Sequence, residues 1–167
     1  MITVLGGTGF VGSHIIKKLK ELQHPYYVPS RDEPLFDKDL GDVIYCIGLT
    51  ADFRVKPYET VEAHVCKLTS ILNRCNFKSL TYLSSTRVYI RCKGENVDEG
   101  AIIHIDINDP DELYTLTKLS GERISLSSGK NVKVARLSNV VGDDRLSDNF
   151  ITNIIKQIKS EKTALFY

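Results

Sequence analysis

Short apolar runs alternate along this chain with longer amphipathic stretches. Ile2 to Leu5 is an apolar run of strand length. Val11, Ile15, Leu19 and Leu22 then recur at helical spacing, with Lys17, Lys18, Lys20 and Glu21 on the other faces, and His24-Pro25 ends the helix. Tyr26 to Ser30 reads as a second strand that Pro29 cuts short. Asp42 to Leu49 reads as a buried strand, and Tyr58 to Asn73 as a helix with Val61, Val65, Leu68 and Leu72 on one face. Ser79 to Ser85 is a strand, Pro110 to Ser128 a helix with proline in its first turn, and Val132 to Ser138 a strand. Asn149 to Lys162 closes the series as a helix striped by Ile151, Ile154, Ile155 and Ile158.

Strands that alternate with helices predict an α/β fold, a doubly wound parallel sheet of the Rossmann-like kind. The connection after the second strand is short. Only ten residues, Arg31 to Leu40, stand where such folds place a helix, a strand and another helix. Extended, ten residues reach ~33–36 Å, enough to cross a sheet of strands ~17–20 Å long. One strand-helix unit is therefore expected to be missing, which leaves about five strands. Glu33 to Leu40 leaves room for a single helical turn.

Bulk properties narrow the partners. The chain has 167 residues, 42% of them apolar and 26% charged, as in an ordinary globular domain with a full core. A net charge of +1 gives no reason to expect nucleic acid or an anionic membrane as the main partner. The apolar runs are too short to span a bilayer, and the first residues lack the pattern of a secretory leader, so a cytoplasmic location is expected. Cys46, Cys66, Cys75 and Cys92 are widely spaced, with no C-x-x-C pair. They are expected to be reduced and mostly buried, and no metal site is expected.

The stretch VLGGTGFVG, Val4 to Gly12, places Gly6, Gly9 and Gly12 between a strand and a helix. A sharp turn at a strand end favours a residue free to adopt positive φ. Backbone must come close to a diphosphate, and the third glycine lets helix and strand pack tightly. The helix N-terminus, beginning at Phe10 and Val11, would then present free N–H groups to the anion.

Four ordered motifs carry a resemblance. GGTGFVGSH, then YLSSTRVY (Tyr82 to Tyr89), then Tyr114-Thr-Leu-Thr-Lys118 followed by Gly121-Glu122, then RLSNVVG (Arg136 to Gly142) resemble the extended short-chain dehydrogenase/reductase superfamily, the NAD-dependent epimerase/dehydratases. The resemblance implies a catalytic set of Ser85, Tyr114 and Lys118, with Ser85 three residues before Val88 of the Val-Tyr pair. It assigns Lys118 to the nicotinamide ribose as well, Ile47 and Gly48 to the adenine side of the cofactor, and Thr86 and Asn139 to the substrate side. On residue chemistry, Ser84 and Thr86 would otherwise cap the strand end, and Asn139 would be a turn residue.

Tyr114 and Lys118 lie four apart on one helix face. A free phenol titrates near ~10, and bringing it to near neutrality takes ~4 kcal/mol from neighbouring positive charges, here the ammonium and a nicotinamide ring. Tyr114 would then exchange a proton with a substrate hydroxyl or carbonyl during hydride transfer. Thr86 and Arg87 stand where the family's dehydratases carry acids, so dehydration is disfavoured. The resemblance then implies an epimerase or 4-ketoreductase acting on a nucleotide-activated sugar. The alternatives are a non-catalytic NAD(P)-binding sensor or scaffold, and a reductase of a small non-sugar carbonyl.

The cofactor is expected to be NAD or NADP. Arg31 would accept a 2′-phosphate and Asp32 would hold a 2′-hydroxyl, and the pair leans towards NADP. His64 stands where relatives have asparagine and reads as a partly buried helix residue. Residues 1–145 are expected to form the dinucleotide-binding domain, and 146–167 the start of a truncated substrate-binding region. Relatives often pair as homodimers through helices that match Tyr58–Asn73 and Asp111–Ser127.

Overall fold

A computed structural model describes residues 1–50, 52–92 and 97–142. The strands are β1 (Ile2–Leu5), β2 (Tyr26–Tyr27), β3 (Asp42–Tyr45), β4 (Ser79–Ser85) and β5 (Val132–Leu137). The helices are α1 (Phe10–Glu21), α2 (Pro57–Val61), α3 (Lys67–Arg74) and α4 (Glu112–Ser127). A π-helical turn (Glu62–Cys66) joins α2 to α3, and a 3-10 turn (Thr86–Tyr89) follows β4.

The five strands form one sheet in the order β2-β1-β3-β4-β5, and every pairing is parallel. From β1 the chain steps outward to β2, then returns across to β3 on the other side of β1. Right-handed crossovers in opposite directions put α1 on one face and α2 to α4 on the other. This parting of the chain is the switch point at which a doubly wound sheet opens a crevice beyond its strand ends.

The ten-residue return makes turns but no helical turn. Leu35 and Leu40 are both buried, and positions five apart fall on different faces of a helix, so the segment stretches to deliver both. Strand β2 is only two residues long, as Pro29 foreshadowed.

Strand β3 ends at Tyr45, four residues before its apolar run does. Its last ladder bond runs from Cys46 N–H to Leu5 O at 2.8 Å. Beyond it β1 turns away at Gly6, which leaves Ile47 to Leu49 without a strand partner on that side.

The predicted helix at Tyr58 to Asn73 forms, but with a different inner face. The π turn adds a residue to one turn and shifts the stripe. Ala63, His64, Leu68, Ile71 and Leu72 are buried, while Val61 and Val65 are half-buried. Leu22 is exposed, because α1 ends at Glu21 and Gln23 turns the chain off with φ 52°.

The core is assembled on β1, β3 and β4, where Leu5, Val43, Tyr45, Leu80 and Tyr82 pack against Leu68, Ile71 and Leu72. The cysteines are free, but only Cys75 is buried; Cys46 and Cys92 are half-buried and Cys66 is exposed. Thiols at 46 and 92 stand in loops, and that at 66 on the outer side of the π turn, which corrects the expectation of burial. No helix among the described residues is long and apolar enough to cross a membrane. The expected helix at 149–162 and the boundary after 145 lie outside the described residues.

Candidate functional site

The glycine bend is built by close approach. Gly6 has φ +81°, and a Cβ there would stand 2.9 Å from Cys46 C and Ile47 N. Gly12 is buried in the first turns of α1, where a Cβ would stand 2.4 Å from Gly6 O. Gly9 is the N-cap of α1, and its N–H donates to Gly6 O at 3.1 Å. No side chain caps this helix, and no acidic residue sits in its first turn. The first-turn amides and the positive end of the helix dipole therefore remain available to an anion.

A cleft of about 980 Å³ opens at the carboxyl ends of the strands. Gly9, Phe10 and Val11 line it from the bend, Ile47 and Gly48 from the loop after β3, and Ser85 and Thr86 from the end of β4. Tyr114 and Lys118 line it from α4, and Asn139 from the segment after β5. These ten sequence-derived candidates, distant in the chain, share one cavity. Gly6 and Gly12 are not in its lining but support the bend beneath it.

Arg31 and Asp32 are exposed on the turn after β2 and do not line this cleft. The neighbouring Glu33 organises that turn. Its carboxylate accepts from Lys38, from the Tyr27 hydroxyl, and from Ser30 N–H at 3.1 Å. The Lys38 ammonium, followed by the Tyr27 hydroxyl, holds it down to about 2.

Tyr114 and Lys118 are 4% and 5% exposed, so both work in a nearly dry setting. Lys118 Nζ donates to Leu83 O at 2.9 Å and stands 5.9 Å from the centre of the Tyr114 ring. Burial pushes its ammonium down to about 8, against the opposing pull of Glu122 and Cys46. The Tyr114 phenol is pushed up by burial, more than the Ser85 and Thr50 hydroxyls and the Arg87 guanidinium draw it down. The depression expected from the sequence draws on a nicotinamide ring as well as the ammonium; the protein's own groups by themselves leave the phenol raised. The Lys118 ammonium is engaged with a carbonyl and is itself lowered by burial, and the pull of Arg87 on the phenol is outweighed by desolvation.

Several contributors were not anticipated. Phe53, in the loop after β3, is 2% exposed and packs on Tyr114 with ring centres 5.4 Å apart. Arg87 reaches Asp111 from the cleft wall at 3.2 Å, and Arg54 pairs with the same carboxylate. The Ser85 hydroxyl accepts from Arg87 N–H at 3.1 Å and so caps the turn after β4.

From the cleft lining, Ser84 donates to Glu122, whose carboxylate is gripped by Arg136, and Arg136 also reaches the hydroxyl of Tyr89, another lining residue. His64 is completely buried, not partly so, because it bridges two elements through both ring nitrogens. Ser84, Ser85, Arg87, Tyr89, Glu122 and Arg136 belong to sequence motifs, and His64 stands out by its type in its helix, whereas Phe53 and Arg54 sit in an irregular loop where periodicity is silent. Among the described residues no group of three or more His, Cys, Asp or Glu is placed to hold a metal ion.

The residues fit a dinucleotide. The bend offers backbone without side chains at an uncapped helix end, and Gly48 lets its loop lie close over the buried Lys118. A Cβ on Gly48 would stand 3.4 Å from Lys118 Nζ and 3.1 Å from His64 Nε2.

Among solved structures, the chain is similar to the Bordetella bronchiseptica enzyme WbmG in complex with NAD and UDP, with TM-score 0.77 and 17% identity over 98% of this chain and 61% of that one. It is similar to RMD from Pseudomonas aeruginosa complexed with NADPH, with TM-score 0.75 and 21% identity over 98% of this chain and 64% of that one. It is also similar to MoeE5 in complex with UDP-glucose and NAD, with TM-score 0.73 and 21% identity over 96% and 62% of the two chains. The chain thus spans less than two thirds of the length of these structures. No curated protein matches it. The family model described as NAD dependent epimerase/dehydratase matches residues 2–167. With the glycine bend, the five-stranded parallel sheet and that match over nearly its whole length, the chain belongs to the NAD-dependent epimerase/dehydratase family.

Proposed function

We propose that this protein is an NAD(P)-dependent epimerase or 4-ketoreductase of a nucleotide-activated sugar. The observation that carries the reading is the meeting of Ser85, Tyr114 and Lys118 in the cleft headed by the glycine bend. Amides at Gly9 to Val11 hold the diphosphate, and Ile47 and Gly48 bear on the adenine half. When bound, the dinucleotide supplies hydride exchange and the positive charge that the phenol lacks. Tyr114 passes a proton to or from the reacting sugar oxygen, Ser85 hydrogen-bonds that oxygen, and Lys118 binds the nicotinamide ribose. Thr86 and Asn139 face the substrate, and Arg31 or Asp32 meets the adenine ribose.

Similar structures bind NAD in some cases and NADPH in another, and several carry UDP or a UDP-sugar, which supports the substrate class. Thr86 and Arg87 supply no carboxylate for eliminating water, which weighs against a dehydratase. Pairing of two copies through α2–α3 and α4 would cover Tyr58 and Leu126, both exposed.

The test is turnover of UDP-sugars by the purified protein, with the bound cofactor identified by mass spectrometry. Tyr114→Phe is expected to lower kcat by a factor on the order of 10²–10⁴ while leaving dinucleotide bound. Undiminished turnover in Tyr114→Phe would remove the catalytic assignment. Dinucleotide binding with no turnover of any sugar nucleotide would favour the sensor.

A further inference from the structure

Two walls of the cleft belong to different elements: the 46–50 loop carries Ile47 and Gly48, and α4 carries Tyr114 and Lys118. His64 lies between them with no exposed surface. Its Nε2 accepts Leu49 N–H at 3.2 Å, so that nitrogen carries no proton. Its Nδ1 stands 2.8 Å from Thr117 Oγ1. The Thr117 hydroxyl is 2.9 Å from Leu113 O and 3.0 Å from Tyr114 O. It donates to these carbonyls and keeps a lone pair for Nδ1–H. Every proton in the chain from Leu49 N–H to the α4 backbone is thereby directed.

Three further contacts fix the ring. It meets the Tyr114 ring edge-on, with centres 5.4 Å apart and planes at 86°. A Cβ on Gly48 would stand 3.1 Å from Nε2, tight enough that the ring would have to give by a few tenths of an ångström. The ring is also presented from the π turn, whose Ala63 carbonyl accepts from Tyr45 OH at 2.7 Å and pins the turn to β3. Such turns are local distortions that recur at functional sites.

We propose that His64, held as the Nδ1–H tautomer, is a positioning residue that ties the loop bearing Ile47 and Gly48 to the helix bearing Tyr114 and Lys118. It sets the spacing between the dinucleotide cradle and the proton-transferring phenol. The inference rests on the site reading given under Proposed function. Thr117, placed between Tyr114 and Lys118 in the chain, is the other half of the link.

Two measurements test it. Nitrogen-15 NMR of the histidine rings, assigned with His64→Asn, reads the tautomer without turnover. A protonated Nδ1 beside a bare Nε2 is expected, and an Nε2–H tautomer or an imidazolium at neutral pH overturns the proposal. The second measurement follows NAD(P)H binding by fluorescence and turnover of a UDP-sugar in Thr117→Val, Thr117→Ser, His64→Asn and the His64→Asn/Thr117→Val pair.

Valine keeps the shape of threonine but cannot accept Nδ1–H. It should weaken dinucleotide affinity and lower kcat by about fivefold or more, with the sugar KM nearly unchanged, and serine should restore both. The paired variant should bind no more weakly than the weaker single one, because both changes cut the same link. Additive losses, or valine behaving as serine does, overturn the proposal. A wild type that binds dinucleotide but converts no UDP-sugar would overturn the catalytic reading alone, with the tautomer and the affinity cycle still deciding this one. A wild type that binds no dinucleotide would overturn the site itself.

Discussion

A Cβ placed on Gly12 would stand 2.4 Å from the carbonyl oxygen of Gly6, whereas one on Gly9 would stand 3.4 Å from that same oxygen. Three glycines at equal spacing therefore do different work. Gly12 carries the packing of α1 on the bend, and Gly9 carries the helix cap.

The contrast is measurable. Gly12→Ala forces backbone apart and is expected to cost ~2–3 kcal/mol in urea unfolding and to abolish tight dinucleotide binding. Gly9→Ala meets only ordinary contact, and its cost is that of a poorer N-cap, ~0.5–1 kcal/mol. Equal destabilisation by the two variants would show that the bend is not packed as described.

Glu122 and Arg136 predict the largest loss outside the bend. Glu122 is 5% exposed and receives both Arg136 and Ser84. Glu122→Ala leaves the Arg136 guanidinium, only 18% exposed, without its carboxylate, at a cost of ~3–5 kcal/mol. Replacing both residues by apolar side chains of similar volume should recover much of that loss. A double variant as unstable as the single one would mean that packing, not charge, is at stake.

These relationships separate what patterning could reveal from what it could not. Strands β1 and β4 were legible to the residue, β1 as an apolar run closed by glycine and β4 as apolar residues set among Ser and Thr, both local signals. The missing strand-helix unit was legible from chain length alone, since ten residues cannot hold one.

The early end of β3 was not legible, because it depends on where β1 turns away. The π turn was hidden because its sequence, EAHVC, follows ordinary helical spacing. At the site, motif residues could be named from order and type, yet the state of the Tyr114 phenol could not. Its direction is set by burial, to which the packing of Phe53 contributes, and burial is not written in Tyr-x-x-x-Lys.

His64 predicts the acid limb of stability. Burial, and next the Lys118 charge, holds its imidazole down to about 3, whereas in the unfolded chain it titrates near ~6.5. Between these values the unfolded chain binds more protons, so stability falls as pH drops through that window, by at most about 1.4 kcal/mol per pH unit from this group. Above the upper value the contribution is complete. His64→Gln should flatten the wild-type slope between pH ~6 and ~4 in urea titrations. A variant with the wild-type slope would show that carboxylates alone account for it.

Lys118 predicts the alkaline limb, with the opposite consequence for design. Its ammonium is pushed down to about 8 in the fold, and an unfolded lysine titrates near ~10.4. Between these values the unfolded chain again binds more protons, so this group raises stability as pH rises through that window. Below it, the buried charge is a net cost that the bond to Leu83 O only partly offsets. Lys118→Met keeps the stem and removes the charge. It should be ~1–3 kcal/mol more stable than wild type at pH 7, lack the alkaline rise, and bind NAD(P)H more weakly. A less stable Lys118→Met would mean that the ammonium is well solvated or paired in the fold. A more stable variant that loses its cofactor would identify Lys118 as a charge kept for the cleft at the expense of the core.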